Sequence, residues 1–165
     1  MGRAVFVTAL IYLTVDMTLL EPVLLLERLR VLYSAKPVYD ERFHHGVNII
    51  RGRNSSGKSS IIDFIFFVLG GDFVGWKPEA ARCDEVLAQV RVNDVAVTLR
   101  RLVAPIRRQP MYVFWGTLDE AIAAPLTSWE MYPFARTDRK ESFSIKLFLK
   151  KMKYTRISSS EGQTP

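Results

Sequence analysis

Cysteine is almost missing from this chain: there is one, Cys83. An internal disulfide is excluded, and a lone thiol suits a reducing compartment such as the cytoplasm. Histidine is scarce too. His44 and His45 are adjacent and have no cysteine nearby. Neighbours on a strand point to opposite faces, so the pair reads as loop or strand-end residues and not as metal ligands. No apolar run is long enough to span a bilayer. Ala4 to Val15 supplies twelve uncharged residues, where a span takes about twenty. Asp16 follows at once, without a small-x-small cleavage site, so the run makes a poor secretory signal. Residues 1–16 are expected to be an extension outside the fold, with an added edge strand as the alternative. No internal repeat is present.

What remains is ordinary in amount and uneven in placement. With 165 residues, 48% apolar and 24% charged, the chain can form one domain with a real core. The formal charge of +6 is concentrated. Between Arg136 and Arg156, eight basic residues face two acidic ones. Arg100, Arg101, Arg107 and Arg108 form a second cluster. Basic patches suggest nucleic acid as a partner, and a solvated charged face is the plainer alternative.

One stretch carries chemistry. In "GVNIIRGRNSSGKSSIIDFIFFVLGG", Gly52 and then Gly57-Lys58-Ser59 fit G-x-x-x-x-G-K-[ST], the phosphate-binding (Walker A) spacing. Glycines let the backbone curl around phosphate oxygens without a Cβ in the way. Successive N–H groups then form an anion nest at the positive end of the following helix. The expected nucleotide-binding residues are Gly52, Arg53, Asn54, Ser55, Ser56, Gly57, Lys58, Ser59 and Ser60. Lys58 would reach the β- and γ-phosphates, and the Ser59 hydroxyl would ligate Mg²⁺. The expected cofactors are therefore ATP and Mg²⁺. The guanine-specific [NT]-K-x-D element is absent, which favours ATP over GTP.

The pattern around the loop predicts a strand over Leu24–Tyr33, a turn at Lys36-Pro37 and a strand over Val38–Phe43. A short buried strand, Val47–Ile50, should feed the loop. Ile61–Leu69 should be a helix buried on nearly all sides and capped by Gly70-Gly71. An irregular piece, 72–82, follows. Val90, Val92, Val95, Val97 and Leu99 alternate about Asn93-Asp94, as in a two-residue hairpin. Met111–Trp115 suits a further strand, and the 120s suit a loop with Pro125 and Pro133 as breakers. Ser142–Tyr154 is expected to be a helix, and 155–165 a disordered tail by composition.

These residues together resemble the ATPase heads of the SMC, RecN and RecF group, within the ABC-type ATPases. The match runs through Gly52, Asn54, Ser56–Ser59, Ile61, Ile62, Asp63, Ile65, Leu69 and Gly70. The two strands before the loop and the hairpin after the helix also resemble that family, so the likeness covers roughly residues 22–103. It implies an α/β fold: a P-loop core with a mixed sheet holding loop and helix, plus an antiparallel β lobe. It implies ATP binding in DNA repair, chromosome maintenance or antiviral defence. It also implies a second half carrying an LSGGQ-type signature, a Walker B Asp-Glu and a switch histidine, beyond a coiled coil. This chain has no LSGG, no heptad run and no late histidine. It is therefore expected to be the N-terminal lobe of a head, 17–154, needing a C-terminal lobe or a second head as partner. DNA would bind through Arg136–Arg156.

Three further candidates follow from the same resemblance. Asp119-Glu120, after "MYVFW", imitate the end of a Walker B strand, where Asp119 would hold Mg²⁺ through water and Glu120 would polarise the attacking water. Gly116-Thr117 interrupts that strand, and an acidic helix start is the other reading. Gln109 or Gln89 could occupy the place of the family's Mg²⁺-sensing glutamine. Arg82 stands where such heads place basic residues near nucleotide or DNA. Two other functions stay open: a complete small P-loop kinase using Asp119-Glu120, and a non-catalytic remnant.

Overall fold

The computed structural model describes residues 24–133, apart from 55, 74, 93 and 106–108. The helix expected over Ser142–Tyr154, the tail, the extension and the Arg136–Arg156 cluster lie outside the described residues. Six strands form one sheet: β1 (Leu24–Tyr33), β2 (Lys36–Arg42), β3 (Glu85–Val92), β4 (Val95–Leu102), β5 (Met111–Phe114) and β6 (Glu130–Tyr132). Their order is β2-β1-β3-β4-β5-β6, and every pairing is antiparallel.

β1 shows how the sequence sets the register. Leu24 and Leu26 face the core, and so do Leu29 and Val31, although one pair has even numbers and the other odd. A bulge between Leu26 and Arg28 supplies the extra residue. Past a bulge the inward face switches parity, so the apolar side chains stay inside and Arg28 and Arg30 turn outward. β3 and β4 need no such device. Their register runs unbroken from Glu85↔Leu102 to Val92↔Val95, burying Val86, Ala88, Val90, Val92, Val97 and Leu99.

The β1–β2 turn lies at Ser34-Ala35, with φ of 49° and 59°, and not at Lys36-Pro37. Two successive positive φ values match the right-handed twist of a hairpin. Lys36 and Pro37 open β2, an edge strand, where proline's missing N–H costs no ladder bond.

The loop helix, α1 (Lys58–Val68), begins three residues earlier than expected. It lays Phe64, Phe67 and Val68 on the sheet. Trp76 caps this cluster, 5.0 Å from Phe64, 5.1 Å from Phe67 and 4.6 Å from Phe73 between ring centroids. One face of α1 stays open, contrary to the expected all-round burial: Ile62 and Phe66 are 62% and 55% exposed. The helix ends as the sequence suggests. Gly70 sits at φ 104°, and Gly71 N–H returns to the Phe66 carbonyl at 2.9 Å.

Val47–Ile50 is not a strand, so the described sheet is antiparallel throughout and not mixed. The reason is local. Among the described residues the segment has no neighbouring strand to complete its ladder, and the Asn48 side chain bonds the His44 N–H at 3.0 Å and the His44 carbonyl at 2.9 Å. That bonding folds the segment into a loop. Val47 and Ile49 are left 80% and 70% exposed. The α/β class and the antiparallel lobe hold.

The 120s are not a plain loop. A short helix, α2 (Leu118–Ala123), is fixed by a capping box in which Thr117 and Glu120 serve each other's backbone N–H groups. It covers part of the sheet face opposite α1, where Leu118 N–H meets Gln89 Oε1 at 2.9 Å. Among the described residues no helix is long and apolar enough to cross a membrane.

Candidate functional site

The Gly52–Ser59 loop leads into the N-terminus of α1. Gly57 is the N-cap residue at φ 83° and ψ 6°, with no side chain capping the helix and no acidic residue in the first turn. Among the described residues no side chain takes the first-turn N–H groups, and no acidic side chain in that turn offsets their positive end. A Cβ on Gly52 would lie 2.5 Å from Ser56 Oγ, so a larger residue there would make that hydroxyl turn away. The Lys58 side chain bends back across the loop. Its Nζ donates to the carbonyls of Gly52 at 2.8 Å and Arg53 at 2.6 Å. An ammonium has three N–H donors, and one remains for a ligand. Gly52, Arg53, Asn54, Ser56, Gly57 and Ser59 are exposed and Ser60 is half-buried; Ser55 lies outside the described residues.

Two clefts flank the loop. One, of about 410 Å³, is mostly apolar and runs from Ser56, Gly57 and Ser60 to Tyr33, Tyr39 and Cys83. Arg82 stands at its wall, donating to Tyr33 Oη at 3.1 Å with its guanidinium 5.3 Å from the ring centroid. Burial and the nearby Asp84 push the Cys83 thiol up, which makes it a poor nucleophile. The other cleft, of about 550 Å³, gathers Arg42, His44, Arg51 and Lys58 with Gly52 and Ser56.

Neither Asp119 nor Glu120 lines these clefts. Asp119 is ion-paired with Arg28 at 2.8 Å and Arg42 at 3.7 Å. Glu120 Oε2 accepts from Thr117 N–H and Oγ1, each at 2.7 Å. Those two bonds hold its carboxyl below the usual carboxylate range, whereas a general base is served by a raised value. Gln89 is committed at both ends, to Glu27 Oε2 at 2.7 Å and to Leu118 N–H. The backbone carbonyl of Gln109 accepts from Arg101 at 3.0 Å. Among the described residues no group of three His, Cys, Asp or Glu side chains converges on a point that could hold a metal ion. Ser59 is thus left as a lone hydroxyl beside the loop, which fits an ion held mainly by phosphate oxygens and water.

The Arg100-Arg101 end of the second basic cluster is not a surface patch. Arg100 pairs with Glu85 at 2.6 Å, and Arg101 is 1% exposed, facing the core. The sequence holds the clue: Arg101 continues the inward alternation of Val97 and Leu99.

A family model described as an AAA domain matches residues 42–161, from the end of β2 through the loop, α1 and the rest of the sheet. The chain belongs to the AAA-domain family. That family comprises AAA-type P-loop ATPases, of a kind found in SMC-like proteins, so the domain is of a nucleotide-binding ATPase type. No curated protein matches the chain.

Proposed function

We propose that this AAA domain is the ATP-binding N-terminal lobe of an SMC/RecN/RecF-like head, and that Gly52–Ser60 is its phosphate-binding loop. The observation that carries the reading is the Lys58 clamp. A lysine that bridges two loop carbonyls, behind a left-handed glycine and a helix N-terminus that no described side chain caps, leaves converging N–H donors and one ammonium proton facing solvent. That array suits a polyphosphate and little else of comparable size. The exposed Ser59 hydroxyl would take one position on Mg²⁺, which when bound neutralises charge on the phosphates. The apolar cleft walled by Tyr33 and Tyr39 gives a planar base room beside the loop.

Hydrolysis needs more than this. Binding alone does not speed the chemical step, because only stabilisation special to the transition state counts. Neither Asp119 nor Glu120 lines a cleft beside the loop to orient water. The open Ile62 and Phe66 face of α1, with exposed Val47 and Ile49 before the loop, fits cover by a second lobe that supplies the missing groups. In this reading the cytoplasm is the compartment, and DNA meets Arg136–Arg156.

The test is steady-state phosphate release alongside Mg-ATP titration. The 165-residue chain should bind Mg-ATP and turn it over negligibly, with or without DNA. Activity should appear when a C-terminal lobe is added. Multiple turnover by the chain alone, abolished by Glu120→Gln, would make a compact NTPase using Asp119-Glu120 the better reading.

A further inference from the structure

Arg101 is the one fully buried charged residue among the described residues, and it forms no ion pair there. Its guanidinium lies 4.0 Å from the Phe67 ring centroid. One nitrogen donates to the carbonyls of Phe67 and, at 2.7 Å, of Gly71. A second donates to Gln109 O at 3.0 Å, and the third, Nε, is buried without a partner among the described residues. Both α1-side acceptors lie at the C-terminal end of the helix, where the negative end of the helix dipole favours a cation, and the Phe67 carbonyl also accepts from Gly70 N–H at 3.0 Å. Burial lowers the Arg101 pKa to about 10, with Asp72 opposing, so the side chain stays charged at neutral pH.

What these bonds do follows from what the other contacts do not. Phe64, Phe67 and Val68 hold α1 against the sheet by apolar contact, which is non-directional. Such contacts resist separation more than sliding along or rotation about the helix axis. Among the described residues no other hydrogen bond or ion pair joins α1 to a strand. At 11 residues the helix is a stiff rod about 16 Å long. Fixing its C-terminal end therefore fixes where its first-turn amides stand.

We infer that Arg101 is a positioning residue: from β4 it sets the axial placement of α1, and so the alignment of the Gly57–Ser60 amides with the Lys58 ammonium. The inference deepens the nucleotide-binding reading and rests on it for the ligand. Ridge packing alone would leave α1 free to settle a fraction of an ångström off, and hydrogen bonds from the first-turn amides to shared phosphate oxygens weaken steeply as distance and angle degrade.

The test has two arms, on the full chain. In the first, Mg-ATP is titrated at a temperature far below melting, into wild type, Arg101→Met and Arg101→Lys. The methionine variant should bind about 5–150-fold more weakly, the range of an ordinary coupling, with the lysine variant between. In the second, amide exchange is followed on the free protein. Lys58–Ile61 should exchange faster in Arg101→Lys while the β3 and β4 ladder keeps its protection. A merely structural role would loosen sheet and helix together. If Arg101→Met does not fold, Arg101→Lys alone decides. Wild-type affinity in the folded variants, or uniform loss of protection across β3, β4 and α1, overturns the inference. If wild type itself binds no Mg-ATP, the nucleotide reading falls, and the exchange arm still decides whether Arg101 places the helix.

Discussion

Replacing Lys58 with alanine should separate affinity from stability. The ammonium spends two of its three N–H donors on Gly52 and Arg53, and the third is the one left for phosphate. A hydrogen bond to a charged group contributes about 1.5–3 kcal/mol, and ~1.4 kcal/mol is tenfold in affinity. Lys58→Ala should therefore weaken Mg-ATP binding by roughly 10–150-fold. Loss of the two carbonyl bonds also frees the loop, which pushes the result toward the upper figure. Those bonds lie at the surface, so folding should change by only about 0.5 kcal/mol. In a domain of this size that is a melting shift of about 1–2 °C. Lys58→Arg should not fully rescue binding, because a planar guanidinium does not place its donors where a compact ammonium does. Calorimetric titration gives the affinity and thermal denaturation gives the control. Equal affinity in wild type and Lys58→Ala would refute the loop assignment. A collapse of melting temperature would show that the lysine holds the fold instead.

Two other expectations concern charge. Burial alone would raise the Asp40 carboxyl, but hydrogen bonds from Arg28 and Arg30 outweigh it and hold the group below its ordinary value of 3.8. A depressed carboxylate stabilises above its unfolded pKa, and that contribution is lost as pH falls through the folded value. Melting temperature should thus fall more steeply in wild type than in Asp40→Asn below about pH 4; parallel curves would remove Asp40 from the account. If Arg136–Arg156 meets duplex DNA, neutralising Lys150, Lys151 and Lys153 should flatten the plot of log affinity against log salt by about 0.9 per lost phosphate contact. An unchanged slope assigns those lysines to a solvated face.

The legible parts of the fold were those with a local pattern. β1 has the bounds its composition suggests, and the β3–β4 hairpin follows from strict alternation about a two-residue turn. The bulge after Leu26 was not legible, because an extra residue shows only in the partner's register. The Ser34-Ala35 turn was missed because neither residue advertises positive φ, whereas Lys36-Pro37 looks like a turn and opens an edge strand. Val47–Ile50 reads as a strand from its own residues, yet a strand exists only with a partner, and Asn48 gave the backbone other bonds. At the site, the glycine and lysine spacing announced the loop. Arg101 hid in a run of arginines, since charge suggests surface and only its place in the inward alternation argues otherwise. Asp119-Glu120 show the opposite error. The residue types suit catalysis, but one carboxylate is used in ion pairs and the other in a helix cap.

The strand order carries a consequence for how the domain assembles. β1 and β2 form one local hairpin, and β3 to β6 form a meander in which each strand follows its neighbour in sequence. The seam between β1 and β3 is different. It joins residues on either side of the whole segment from Phe43 to Asp84, and closing a loop of that length costs roughly 3 kcal/mol in chain entropy beyond a constant term. The seam's own ladder and the apolar face of α1 must together offset that cost. The segment spanning the loop and α1 is therefore the closing arc of the sheet as well as the site it carries. Docking of α1 and pairing of β1 with β3 are two aspects of one cooperative event. Only after it does the Gly52–Ser59 loop have a fixed shape to present.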